Sequence, residues 1–181
     1  MLAAAVLTRS EAWVWLRTGI VLGAIAQFAF LAGDAFATRI SLPFLPEGQR
    51  DLYRRTLGWR TFAEEAGKLA RNIGAATIAA DERNQLGALY YYLRDEPVKI
   101  LAWPSDTGVS FDLTRPLTET AAEPILFVTI CPAPARHLAR YAAVEALGSF
   151  TAASGPTSSR TYFAFKLTQP RAPIGPLPVC S

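Results

Sequence analysis

The chain has 181 residues, of which 51% are apolar and 18% charged, so one ordinary domain plus an appendage fits better than two large domains, and part of the chain avoids water. Its net charge of +3 comes from scattered arginines, with no basic run and no interleaved stacking aromatics, which excludes a nucleic-acid groove. One histidine and two distant cysteines exclude a Cys/His zinc site and a C-x-x-C redox motif, and no metal or cofactor is expected.

Charge is scarce from Met1 to Pro46, where only Arg9, Glu11, Arg17, Asp34 and Arg39 carry any. Leu2 to Leu7 reads as the end of an earlier apolar helix and Thr8 to Glu11 as a polar turn, which suggests a reading frame that starts inside a longer protein. Thr18 to Gly33 then runs sixteen residues without a charge. With Trp13 and Trp15 at an interface and Arg17 snorkelling, Trp13 to Gly33 reads as a transmembrane helix, and residues 1–40 as a membrane anchor. Two rival readings stand beside it. A signal peptide would use the small residues around Ala35-Phe36-Ala37 for cleavage, and a soluble domain would bury the same helix in its core.

The prolines of Leu42-Pro43-Phe44-Leu45-Pro46 cannot continue a helix, so residues 41–57 read as the membrane-exit linker. From Gly58 the composition is that of a globular domain. Trp59, Phe62, Ala66 and Leu69 fall at helical spacing, predicting a helix over 58–72 that ends near Gly74. Ala75 to Ala80 predicts a strand, Glu82 to Asp95 a helix and Val98 to Trp103 a second strand. Thr118 to Glu123 suits a short helix and Pro124 to Ile130 a third strand. Ala135 to Tyr141 reads as helical, and 145–152 and 161–168 as a hairpin around SGPTSSR. The expected fold is α/β: an N-terminal transmembrane helix, then a small three-layer Rossmann-like domain over 58–168 with a mostly parallel sheet and an antiparallel edge hairpin. Residues 169–181 form a Pro-rich tail, extended or disordered. No dinucleotide or phosphate-loop motif occurs.

The order of these features resembles the C-terminal end of bacterial membrane glycosyltransferases of GT-C type, related to protein O-mannosyltransferases and lipid A aminoarabinose transferases. The Gly58-Trp59 pair, the segment TIAADERNQLGALYYYLRDEP (Thr77 to Pro97) and VKILAWP with Phe111-Asp112-Leu113 carry the likeness. It implies a multi-spanning enzyme that passes a sugar from a polyprenyl-phosphate donor to a lipid, protein or glycan acceptor outside the cytoplasm. The partners implied are the lipid bilayer, that donor and acceptor, and preceding membrane helices. The family's catalytic acidic residue lies in an N-terminal loop that has no counterpart in these residues, so no catalytic residue is carried over. The resemblance therefore implies a cap on the extracytoplasmic face of the inner membrane, in the periplasm, that does not itself transfer sugar. A stand-alone anchored module that binds carbohydrate or protein is the alternative.

Asp81 and Arg83 follow the first strand, at the edge where open α/β sheets bind ligands. They head the candidate substrate-binding set with Tyr90 and Asp106. Each has a plainer reading: Asp81 as a helix N-cap, Arg83 as a solvent-facing first-turn residue, Tyr90 with Tyr91 and Tyr92 as core and rim of a helix, and Asp106 with Asp112 as turn residues. His137 is expected at a surface or helix end, since no nucleophile elbow accompanies it. Cys131 and Cys180 are either unrelated thiols or, in an oxidising compartment, a disulfide tying the tail to the core.

Overall fold

The structure, a computed structural model, describes residues 13–36, 39, 41–46, 50–51, 53–104 and 114–174. Helix α1 (Trp13–Ala35) contains a stretch, Trp13–Gly33, long and apolar enough to cross a membrane, and 0% of its apolar window is buried. Among the described residues the helix is therefore outside the core of the α/β domain, and its length and composition suit a membrane span or a signal sequence alike. Arg17 folds back over the Trp13 ring at 5.0 Å, so its charge is carried toward the aromatic end of the helix.

Helix α2 (Trp59–Asn72) buries Phe62 and Ala66 of the expected stripe together with Ala63 and Ala70, leaves Trp59 and Leu69 partly buried at its margins, and turns its glutamates and lysine outward. Strand β1 (Thr77–Ala80), helix α3 (Arg83–Tyr92) and strand β2 (Lys99–Ala102) follow. Strand β3 (Ile125–Thr129), the four-residue helix α4 (Ala135–Leu138), and the long strands β4 (Tyr141–Ala153) and β5 (Ser159–Pro170) complete the chain order. Each strand expected from the sequence is present, and the hairpin is longer than expected at both ends.

The helix expected over Thr118 to Glu123 is absent, and a turn stands there instead. Its cause is local. Thr118 and Thr120 hydroxyls bond each other at 3.0 Å, and Pro124 disfavours helical geometry at the residue before it.

The sheet order is β2-β1-β3-β5-β4, with β1 parallel to both β2 and β3, and β5 antiparallel to β3 and β4. Four strands therefore point one way and β5 alone opposes them. The hairpin is not wholly an edge, because β5 pairs with β3 and only β4 is outermost. β1 and β3 are buried along their whole length, which explains sequences that are apolar apart from one terminal threonine each. One face of the sheet, through Ile78, Ala80, Leu126, Val128 and Tyr162, packs on α2 and α3. The opposite face, through Ile125, Phe127, Phe165 and Leu167, is covered by Trp103, Leu117, Leu138 and Tyr141, with Ile174 at its margin.

Phe62 lies at the centre of the helix-covered face, 0% exposed, with its ring 4.4 Å from that of Tyr162. Phe62→Ala is expected to lower unfolding stability by about 3–5 kcal/mol. Denaturant unfolding of the full chain in detergent checks this, and a loss under about 1 kcal/mol would place Phe62 outside the core.

Candidate site at the carboxyl edge of the sheet

Because β1, β2, β3 and β4 share a direction, the segments that leave them gather along one edge. Asp81-Glu82 follows β1, Ile130-Cys131 follows β3, and residues 154–158 join β4 to β5. Strand order reverses between β1 and β3, since α3 carries the chain from β1 outward to β2 while β3 leads to the far edge. Crevices at such a reversal are where open sheets take ligands. The N-terminus of α2 reaches the same edge: a Cβ at Gly58 would lie 2.6 Å from the Ala153 carbonyl oxygen, and Gly58 has φ +87°. Glycine is needed there on both counts.

The linker is bound to this edge through Asp51, which is 3% exposed. Its carboxylate accepts the Thr157 backbone N–H at 3.0 Å and the Thr157 hydroxyl at 3.1 Å. The Ser158 hydroxyl, the largest influence, and these Thr157 bonds hold the carboxyl below its ordinary value, against the opposing effect of burial. A Cβ at Gly155 would collide with the same carboxylate, so the hairpin tip is shaped to admit it.

A second tie lies beside it. The Arg160 guanidinium sits over the Trp59 ring at 4.5 Å and donates to the Arg54 carbonyl, while Trp59 Nε1 donates to the Arg55 carbonyl at 2.8 Å. Between linker, α2, α3 and hairpin tip opens a cleft of ≈ 880 Å³, whose charged lining is Arg54, Arg55, Arg160 and Glu82. Asn84, Ser154, Thr157, Ser158 and Ser159 add polar groups. A shallower groove continues past Trp59 over Arg83, Asn84 and Gly87 to Tyr91 and Tyr92.

Of the residues singled out by sequence, Asp81, Arg83 and Tyr90 do not share one cleft. Asp81 is buried and accepts a 2.8 Å hydrogen bond from the Thr129 hydroxyl, joining the ends of β1 and β3. It does not cap α3: the N-cap residue is Glu82, and no side chain caps that helix. The carboxylate turns inward because Thr129 supplies its donor. Arg83 lines the shallow groove. Tyr90 braces α3 on β2, its hydroxyl donating to the Ile100 carbonyl at 2.7 Å under an Arg115 guanidinium 5.0 Å from its ring. It faces a separate cleft on the β2 side. None of the three consecutive tyrosines is fully buried, and Tyr91 and Tyr92 are exposed. Asp106 and Asp112 lie outside the described residues.

His137 is buried rather than at a surface, stacked on Phe127 and edge-on to Trp103 at 4.6 Å. Burial lowers its pKa to about 4, so the ring is a neutral part of the second core face. Cys131 is buried and disulfide-bonded, and Cys180 lies outside the described residues. Among the described residues no group of His, Cys, Asp and Glu is arranged to hold a metal. No protein-family model, curated protein or solved structure matches the chain.

Burial raises the Asp81 pKa from 3.8 to about 6, outweighing the Thr129 hydrogen bond. The folded state then holds its proton more tightly than the unfolded chain, so stability falls as pH rises from about 4 to about 6 and levels off above. Asp81→Asn should flatten that slope and stabilise the protein at pH 7.5, by an amount bounded near 3 kcal/mol. Denaturant midpoints measured across pH 4–8 check it, and an unchanged slope would show that Asp81 is not the group responsible.

Proposed function

We propose that this chain is the extracytoplasmic end of a membrane glycosyltransferase that uses a polyprenyl-phosphate sugar, and that its α/β domain holds a donor or acceptor head group without transferring sugar itself. The observation that carries this reading is the stitching of the cleft-bearing edge of the sheet to the linker that leaves α1. That linker supplies Arg54 and Arg55 to the cleft wall, and Tyr53 packs at the end of α1, its hydroxyl 3.0 Å from where a Cβ on Gly33 would stand. A ligand in the cleft therefore sits beside the polypeptide that enters the membrane. The order of elements after α1 adds the family resemblance on which the sugar chemistry rests. The two-helix face and the Trp103–Leu117–Tyr141 cover are in keeping with a three-layer Rossmann-like domain whose second outer layer is reduced to a short helix and loops.

The groove of Trp59, Tyr91 and Tyr92 favours a second reading, a free-standing anchored module that binds carbohydrate on its aromatic faces. Genomic sequence upstream of the Met1 codon separates the two. The transferase reading expects apolar spans and an early acidic extracytoplasmic loop in frame with this chain, whereas unrelated sequence would leave the module. Placement is tested independently: alkaline phosphatase fused after Ser181 should be active in intact cells, and an inactive fusion would put the domain in the cytoplasm. The same compartment predicts that denatured protein shows no free thiol until reduced.

A further inference from the structure

We infer that the cleft between the linker and the hairpin tip is a phosphoryl-binding site, taking a phosphomonoester or diphosphate dianion through Arg54, Arg55 and Arg160. The inference rests on the proposed role of this edge as a head-group site and adds the chemical class of the ligand. Three arginines and one carboxylate line the cleft. That carboxylate, Glu82, is already engaged by the Asn84 and Gln85 side-chain amides, each at 3.2 Å. Among the described residues Arg54, Arg55 and Arg160 form no ion pair, while every ion pair present lies elsewhere. The arginine side chains thus bring a surplus of positive charge into a concavity, which attracts anions and is stronger there than on an open surface.

Hydrogen-bond geometry points the same way. Arg160 is held over Trp59 and tied to the Arg54 carbonyl, so its planar fork is oriented before any ligand arrives. Ser154 and Ser159 line the hairpin side with hydroxyl groups, while the Ser158 hydroxyl is held by Asp51. Two helices of 14 and 10 residues begin at the cleft, α2 at Trp59 and α3 just after Glu82, and neither has a side-chain cap. Their free N–H ends and positive dipole poles add to the arginines. A neutral sugar would gain nothing from this charge, and a carboxylate would use only part of the donor set. A tetrahedral phosphoryl group presents acceptors to all sides of the cleft.

Titration calorimetry on the full chain in zwitterionic detergent tests the site with two probes: inorganic pyrophosphate, and a short-chain phosphatidic acid. Saturable binding of pyrophosphate indicates a soluble phosphoryl ligand, and binding of phosphatidic acid alone indicates a lipid head group. In either case Arg54→Gln with Arg55→Gln should weaken binding by about tenfold or more, while circular dichroism stays unchanged. If the double variant fails to fold, Arg55→Gln alone serves, because that side chain is exposed. No binding of either probe, or binding that the variants leave intact, overturns the site. Its failure would leave the transferase reading to the upstream sequence, and binding without upstream spans would assign the same site to a free-standing module.

Discussion

The insertion of Asp51 into the β4–β5 tip is the contact on which the carboxyl edge depends. A buried carboxylate is costly unless each oxygen finds donors, and here the donors come from Thr157 and Ser158 on the tip. The bond fixes the linker against the end of the hairpin. With the linker fixed, Arg54 and Arg55 have defined places, the Arg55 carbonyl receives Trp59, and Arg160 can lie on the indole. Without it, one wall of the cleft would be a loose segment. The sign of the Asp51 shift is opposite to that of Asp81: a lowered pKa stabilises the fold above the unfolded value near 3.8 and is lost as pH falls through the folded one.

Much of the architecture was legible because it follows from periodicity. The stripe Trp59, Phe62, Ala66, Leu69 marked one helical face, and PILFVTI was rich in the branched and aromatic residues that strands favour. The position of the hairpin within the sheet was not legible, since alternation places residues on faces but does not say which strand lies next to β3. Nor was the buried His137, a residue whose surroundings, Trp103 and Phe127, come from distant segments. Asp81 was identified as the residue at the ligand edge of β1, and it is there, yet its carboxylate serves Thr129 across the strand reversal.

The cleft itself left almost no local signal. Asp51 and its partner Thr157 stand 106 residues apart, and the linker that carries Asp51, Arg54 and Arg55 has the composition of a simple connection. A hint existed in retrospect. Gly155-Pro156-Thr157-Ser158 is a tip with small residues and hydroxyls, suited to receiving a carboxylate, and Arg54-Arg55 is a charged pair just ahead of an aromatic helix start. Only the fold brings them together. Asp81 and Tyr90 brace the sheet, whereas linker and hairpin residues line an open concavity carrying three arginines, near the end of the apolar helix α1.

Hydrogen–deuterium exchange on the full chain in detergent, comparing native protein with Asp51→Ala, tests this dependence most directly. The account predicts that residues 53–59 and 154–160 gain exchange together, while β1 and β3 keep their protection. Faster exchange in the linker alone, with the hairpin tip unchanged, would show that the two are not held by Asp51 and that the cleft has no common support.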